Sequence, residues 1–438
     1  RFWMKTDTYT QHSVTVHEHR MKVPLDHTGE THPGEEIEIF ARHLVADGGE
    51  NKPYLLFLQG GPGGAGPRVS NFLEGWTGEA LKDYQVVLMD QRGTGQSTPI
   101  DAETVMAQED PAGFLTLFLQ NQILADAEAL REEIAGGEQW STLGQSYGGF
   151  LTLGYFSQYP DAIREAFITG GLPHLGAVDD IYRVTYPMTA KRNREYFARY
   201  PKDQQTIREL AAHLLEVPEF LPTGERLSPT RLRSVGLDLG GNMAFDQMHY
   251  LWEGPFVVRD GQKRLSSQFL TDVGSRVSYQ GSPLYWLLQE AIYGSSTAEA
   301  AGEATNWSAE RVSSEFEGFD LNADPLDTSA PWYMTAEHTF KALIEEDPAL
   351  APAMPAVEEL STRAAWPRTY DRDVLAKVDV PVAALVYNDD IYVPRVLSER
   401  TAGLLKNPRL WITSRMHHDG LRANGENVFA GLKQLMDD

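Results

Sequence analysis

Apolar and polar residues alternate over much of the first fifty positions. Ser13-Val14-Thr15-Val16-His17-Glu18-His19 and Glu36-Ile37-Glu38-Ile39-Phe40-Ala41-Arg42 have a period of two, which predicts half-buried strands, and Asp47-Gly48-Gly49 marks a turn. His17 and His19 share one strand face; such a pair can bind metal, but on a hairpin it reads as surface. The pattern then changes. Continuous apolar runs cover 54–58, 85–89, 140–143 and 166–169, and each leads into a glycine-containing turn. Helical periodicity lies between them, at 121–134 and 150–159. Apolar runs without alternation are buried on both faces, so strands alternating with helices predict a mostly parallel sheet with helices on both sides.

From 172 to 367 strand-like runs nearly vanish. Helical stretches such as 185–200 and 204–215 dominate, and Tyr and Trp are dense. Sheet character returns at 380–387 and 409–413, and a last helix covers about 425–436. The predicted organisation is a core in two parts, 1–171 and 368–438, with a helical cap of 172–367 inserted after the sixth strand.

Composition narrows the function classes. The chain has 438 residues, 42% hydrophobic and 23% charged, which is globular. Lys and Arg number 38 against 62 Asp and Glu, and a net charge of −24 repels phosphate backbones. Nucleic acid is therefore not expected as a partner. Cysteine is absent, so neither a disulfide nor a thiolate nucleophile is available. This fits a reducing compartment, and a cytoplasmic location is the expectation. The longest apolar runs are too short to span a bilayer, so no membrane partner is expected.

Candidate chemistry centres on Gly144-Gln145-Ser146-Tyr147-Gly148, between a predicted strand and a helix. A nucleophile elbow needs small residues beside the Ser because the turn is strained and the chain packs closely there. The helix N-terminus that follows favours developing negative charge. Gln59-Gly60-Gly61-Pro62-Gly63 follows an earlier strand and can turn backbone N–H groups toward a substrate oxygen. The oxyanion donors expected are the N–H groups of Tyr147 and Gly61. A serine needs a base, and the base an orienting carboxylate. Asp389 or Asp390 follows one late strand and His417 or His418 the next, where the sites of α/β proteins lie.

Five motifs carry a resemblance: Gln-Gly-Gly-Pro-Gly-Gly at 59–64, Asp-Gln-Arg-Gly-Thr-Gly-Gln-Ser at 90–97, Gly-Gln-Ser-Tyr-Gly-Gly-Phe at 144–150, Tyr-Asn-Asp-Asp-Ile-Tyr-Val-Pro at 387–394 and His-His-Asp-Gly-Leu-Arg at 417–422. Together they resemble the prolyl aminopeptidases (proline iminopeptidases) of the α/β-hydrolase superfamily, in the larger subgroup with an extended cap. The resemblance runs from Val23-Pro24-Leu25-Asp26-His27 to Arg422 and implies the α/β-hydrolase fold. The family's acid stands four residues before a Pro, which selects Asp390 by way of Pro394. Its base precedes Asp-Gly-Leu-Arg, which selects His418. Smaller members have His where this chain has Gln59, a change that bears on how the loop is pinned.

The resemblance implies an exopeptidase that releases N-terminal proline through an acyl-enzyme. Its catalytic residues would be Ser146, Asp390 and His418, and it needs no metal and no organic cofactor. The expected partners are short peptides with a free N-terminal proline. A cationic imino terminus requires a carboxylate beside a ring-sized apolar slot. Glu253, Glu290 and Glu337 are the candidates, with Trp286, Tyr293 and Trp332 as walls. Arg92 is expected to brace neighbouring loops. Two alternatives stand beside this reading: a small-acyl esterase or amidase on the same triad, and a non-catalytic binding protein.

Overall fold

β1 (Met4–Gln11), β2 (Val14–Pro24) and β3 (Glu36–Ala46) form an antiparallel meander, and β3 pairs antiparallel with β5 (Gln85–Asp90). From there the sheet is parallel: β5, β4 (Tyr54–Leu58), β6 (Trp140–Gln145), β7 (Ile163–Thr169), β10 (Val382–Tyr387) and β11 (Pro408–Thr413). This computed structural model describes residues 3–295 and 303–437. β5 and β10 are buried at every residue, because helices cover both faces of the sheet. The helices Gln120–Ala135 and Tyr147–Gln158 cover one face, and the hydrophobic core beneath them runs on into the cap. Gly75–Leu81 and Gly425–Asp437 cover the other, with Trp76, Phe429 and Leu432 in a separate cluster.

Two features depart from the sequence-based expectation. β1 precedes the foreseen strands, so the cap follows the seventh strand of the chain rather than the sixth. Met-Lys-Thr-Asp-Thr-Tyr-Thr-Gln shows no apolar period because this edge strand is exposed over most of its length; it is held by backbone pairing to β2, from Met4↔Met21 to Gln11↔Val14. The other departure concerns the histidines. His19 is buried rather than on the surface, at 7% exposure, and its ring stacks on that of His43 from β3 at 5.9 Å, with His17 alongside. Among the described residues no cluster of His, Asp or Glu could hold a metal ion.

The described residues between β7 and β10 are mainly helical, led by Val178–Arg199 and Pro201–Glu216, with a short hairpin, β8 (Phe256–Arg259) and β9 (Gln262–Leu265). Buried polar contacts hold it together. Arg233 is buried and donates to the carbonyls of Tyr333 at 2.9 Å and Gly318 at 2.8 Å. His338 stacks flat on Tyr186 at 4.0 Å. In the core, Arg92 is fully buried and clamps Asp126 through Nε and Nη2, both at 2.7 Å. It also donates to the carbonyls of Pro24, Leu25 and Leu117, tying the β2 end to two loops. Among the described residues no helix is long and apolar enough to cross a membrane.

Candidate active site

Ser146 stands between β6 and the helix Tyr147–Gln158 with φ 56° and ψ −121°, a conformation unfavourable for a residue with a Cβ. The turn survives because its neighbours are glycines. A Cβ on Gly148 would collide with the Leu58 carbonyl, and one on Gly144 with the Gly148 carbonyl. β4 and the elbow therefore approach more closely than any other residue would permit, which lifts the Ser146 hydroxyl above the carboxyl ends of the strands.

His418 Nε2 lies 2.8 Å from Ser146 Oγ, across 272 residues of sequence. His418 Nδ1 lies 2.7 Å from Asp390 Oδ2. Asp390 is 1% exposed, and its Oδ1 accepts the backbone N–H groups of Tyr392 at 2.9 Å and Val393 at 3.0 Å. With one carboxylate oxygen held by the backbone, the other is aimed at the imidazole. Nδ1 then donates to Asp390, and Nε2 is left to accept the serine proton. Burial alone would lower the His418 pKa, but the charge of Asp390 and its hydrogen bond hold it above the usual 6.5. The neighbouring candidates point elsewhere. Asp389 faces Lys191 at 3.7 Å, and the His417 imidazole is pushed down by burial with Nδ1 unpartnered.

The loop after β4 faces the elbow. Gln59 Oε1 accepts the Gly60 N–H at 3.0 Å, and its Nε2 donates to the Ala65 carbonyl at 2.9 Å. Gln59 thus closes the loop on itself and satisfies Gly60, so Gly61 is the next N–H that the loop offers. Tyr147 is the first residue of its helix, and its N–H has no partner within that helix. Gly61 lines the same cleft as Ser146 and His418.

That cleft, about 300 Å³, is completed by Ser282, Tyr285, Glu337 and Tyr392. Glu337 comes from a cap segment without regular secondary structure, and its Oε2 accepts the Tyr285 hydroxyl at 2.8 Å. Burial pushes its pKa up to about 7, against the opposing influence of His418 and the Tyr285 hydrogen bond. Gln289, 1% exposed, lies beside Glu337 and favours its ionised form, and its Oε1 has no partner among the described residues.

Of the six residues expected to bind substrate, only Glu337 lines the cleft. Trp286 and Tyr293 are one layer back: Trp286 packs edge-on to Tyr285 at 4.9 Å, and Tyr293 packs on Phe150 at 5.6 Å. Three others lie away from it. Glu290 is occupied as a helix cap, accepting the N–H groups of Ser308 at 2.8 Å and Ala309 at 3.0 Å. Glu253 is exposed in the turn after the helix Ala244–Leu251. Trp332 lies under the Arg233 guanidinium at 4.2 Å, in the wall of a different cavity. Sequence reasoning passes over Tyr285, Tyr392 and Gln289. The Tyr-rich stretches 285–293 and 387–392 were the available signal, but no spacing rule separates a lining tyrosine from a packing one.

The cap is stitched to the loop that carries His418. The His418 N–H donates to Gly240 O at 3.1 Å, the His417 N–H to Asn242 Oδ1 at 3.0 Å, and the Asn242 N–H to Asp419 Oδ1 at 2.7 Å.

Comparison with known proteins gives this geometry its context. Residues 53–250 match the alpha/beta hydrolase fold family. A proline iminopeptidase of Aeromonas sobria is 38% identical over 436 residues, covering 98% of both chains. Proline iminopeptidase aneH of Aspergillus aculeatus is 30% identical, covering 96% of this chain and 93% of its own. Among solved structures, proline iminopeptidase of Mycobacterium smegmatis aligns over 92% of this chain and 95% of its own, at 14% identity and a TM-score of 0.44. On the full-length sequence identity to the Aeromonas sobria and Aspergillus aculeatus enzymes, the chain belongs to the proline iminopeptidase family.

Proposed function

We propose that the protein is a serine exopeptidase that releases N-terminal proline from peptides, with Ser146, His418 and Asp390 as its catalytic residues. The observation that carries this reading is a half-buried carboxylate, Glu337, in the same cleft as a hydrogen-bonded Ser–His–Asp chain. Ser146 Oγ attacks the prolyl carbonyl while His418 Nε2 takes its proton. The N–H groups of Gly61 and Tyr147 stabilise the oxyanion. His418 then delivers the proton to the peptide nitrogen, the C–N bond breaks and the shortened peptide leaves. Water, deprotonated by His418, attacks the acyl-enzyme; proline departs and the proton returns to Ser146.

The prolyl nitrogen arrives as a secondary ammonium with two N–H donors. Glu337 supplies a charged acceptor, and the unpartnered Oε1 of Gln289 supplies a second beside it. A primary ammonium would bring a third donor into a buried site, at a cost of about 1–3 kcal/mol if left unpaired. N-acylated substrates lack the charge altogether. The test is hydrolysis of prolyl 4-nitroanilide beside its N-acetylated form. A preference for the free amine of a hundredfold or more, about 2.7 kcal/mol, is expected. Equal rates would refute the amine site and leave an acyl hydrolase on the same triad.

A further inference from the structure

A second cavity, of about 400 Å³, adjoins the catalytic cleft, and the two share Tyr285 and Tyr392 as walls. Tyr392 sets its ring edge-on to His418 at 4.8 Å, and its hydroxyl donates to the Leu237 carbonyl. Gly240, whose carbonyl accepts the His418 N–H, lines this cavity as well. The space therefore lies on the imidazole's side of the cleft. That is where the leaving nitrogen must sit to receive its proton, and the rest of the leaving peptide must continue from there.

The cavity's charges come from both parts of the fold. Asp238 and Arg276 belong to the cap; Asp419 and Arg422 follow His418. Arg276 Nε donates to Asp238 Oδ2 at 3.1 Å, and Arg422 Nη2 to Asp419 Oδ2 at 3.0 Å. A guanidinium has five N–H donors, so each pairing leaves others available. Both guanidiniums also act on the Asp238 carboxylate. Two cations thus converge beside the site in a chain whose net charge is −24. The chain as a whole repels anions; here it offers forked donors suited to a carboxylate. The leaving portion of a short peptide ends in a carboxylate, and each residue extends it by about 3.3–3.6 Å.

We propose that this cavity is the leaving-peptide subsite, and that Arg276 and Arg422 bind the C-terminal carboxylate of a short substrate. The inference rests on the reading of the Ser146 cleft as a prolyl peptidase site. It makes the enzyme one for short peptides with both ends free, the amine held on the acyl side and the carboxylate on the leaving side.

The test uses Pro-Ala, Pro-Ala-Ala and Pro-Ala-Ala-Ala, each as the free acid and as the C-terminal amide, with kcat/KM measured at low ionic strength. The free acid is expected to exceed the amide by about tenfold at the length that reaches the guanidiniums, and salt should shrink the difference. In Arg276→Gln and in Arg422→Gln the acid-to-amide ratio should fall to about threefold or less. A ratio cancels any common loss from a disturbed cap. The Arg422 side chain is 85% exposed, so Arg422→Gln keeps the test available if Arg276→Gln fails to fold. Equal rates for acid and amide at every length, or an unchanged ratio in both variants, would overturn the inference alone. No cleavage of any of these peptides by the wild type would overturn the prolyl peptidase reading, and this inference with it.

Discussion

The Tyr285 hydroxyl donates a 2.8 Å hydrogen bond to Glu337, whose pKa burial pushes up to about 7. On the proposed mechanism, two groups control the acid side of the pH profile. Glu337 must be ionised to hold an ammonium, and it loses its charge as pH falls through about 7. His418 must be neutral to act as a base; its pKa lies above 6.5, so it too is lost as pH falls. Below pH 7 the logarithm of kcat/KM should drop with a slope approaching two, as apparent values of a coupled pair. Glu337→Gln should reduce that slope to one and lower kcat/KM for prolyl anilide about a hundredfold. Tyr285→Phe removes a stabilising donor and should move the limb to higher pH. Initial rates from pH 5 to 9 check all three.

Loss of the nucleophile should separate chemistry from folding. Ser146→Ala is expected to lower kcat by about 10⁴-fold or more while the circular dichroism spectrum stays unchanged. Asp390→Asn keeps the shape but offers His418 the wrong partner, and a loss of about 10⁴-fold is expected. Single-turnover kinetics with prolyl anilide distinguishes slow acylation from slow release.

On the proposed reading, Gln289 serves the amine and takes no part in the acyl transfer. Gln289→Leu should lower kcat/KM for the 2-naphthyl ester of proline by about 10-fold or more, the order expected for a hydrogen bond to a charged group. The matching ester of cyclopentanecarboxylic acid, which has the ring and no nitrogen, should change less than threefold. Equal losses on both esters would make Gln289 a packing residue.

Arg92 and Asp126 illustrate a different dependence. Both are buried, at 0% and 1% side-chain exposure, and Arg92 also carries three carbonyl contacts. Arg92→Met leaves Asp126 charged in the core, for which about 3–5 kcal/mol of destabilisation is expected. Urea unfolding measures it, and a loss under 1 kcal/mol would mean that His27, whose Nε2 lies 2.7 Å from Asp126 Oδ1, or water takes over the charge.

The histidine cluster predicts acid sensitivity. Burial first, and then the mutual repulsion of the rings, lowers His19 to about 4; burial does the same for His43. An unfolded chain protonates these groups near 6.5, so between 6.5 and 4 it binds more protons than the native state. Stability from this source is complete above pH 6.5 and lost as pH falls toward 4. His19→Gln should flatten the fall of Tm over that range. An unchanged slope would place the acid sensitivity elsewhere.

How much of this was legible in sequence depends on the range over which each feature is determined. The elbow at Ser146 is local: a strand, two glycines and a helix start fall within a few residues, and one expected N–H donor, Tyr147, is adjacent, whereas Gly61 belongs to the loop after an earlier strand. Choosing Asp390 over Asp389, or His418 over His417, requires knowing which side of a strand end faces the sheet's centre; only the family motifs separated them. The three cap glutamates look alike as sequence, each among aromatics. What distinguishes them is tertiary: Glu290 meets a helix start 18 residues on, whereas Glu337 meets a cleft built from the other end of the chain. β1 escaped notice because an exposed edge strand needs no apolar period.

The bonds from Gly240 and Asn242 to the loop around His418 bear on how this architecture diversifies. A cap that rested freely on the core could be exchanged between relatives as an independent module. Here it holds the backbone N–H groups of His417 and His418 and the side chain of Asp419. A chimera that takes the cap from one parent and residues 416–422 from another would inherit mismatched halves of a single device, with a misplaced imidazole rather than an altered preference. The heritable unit of specificity is the cap together with its histidine loop, and recombination that moves the two as one is the route by which new substrates can be reached without losing the chemistry.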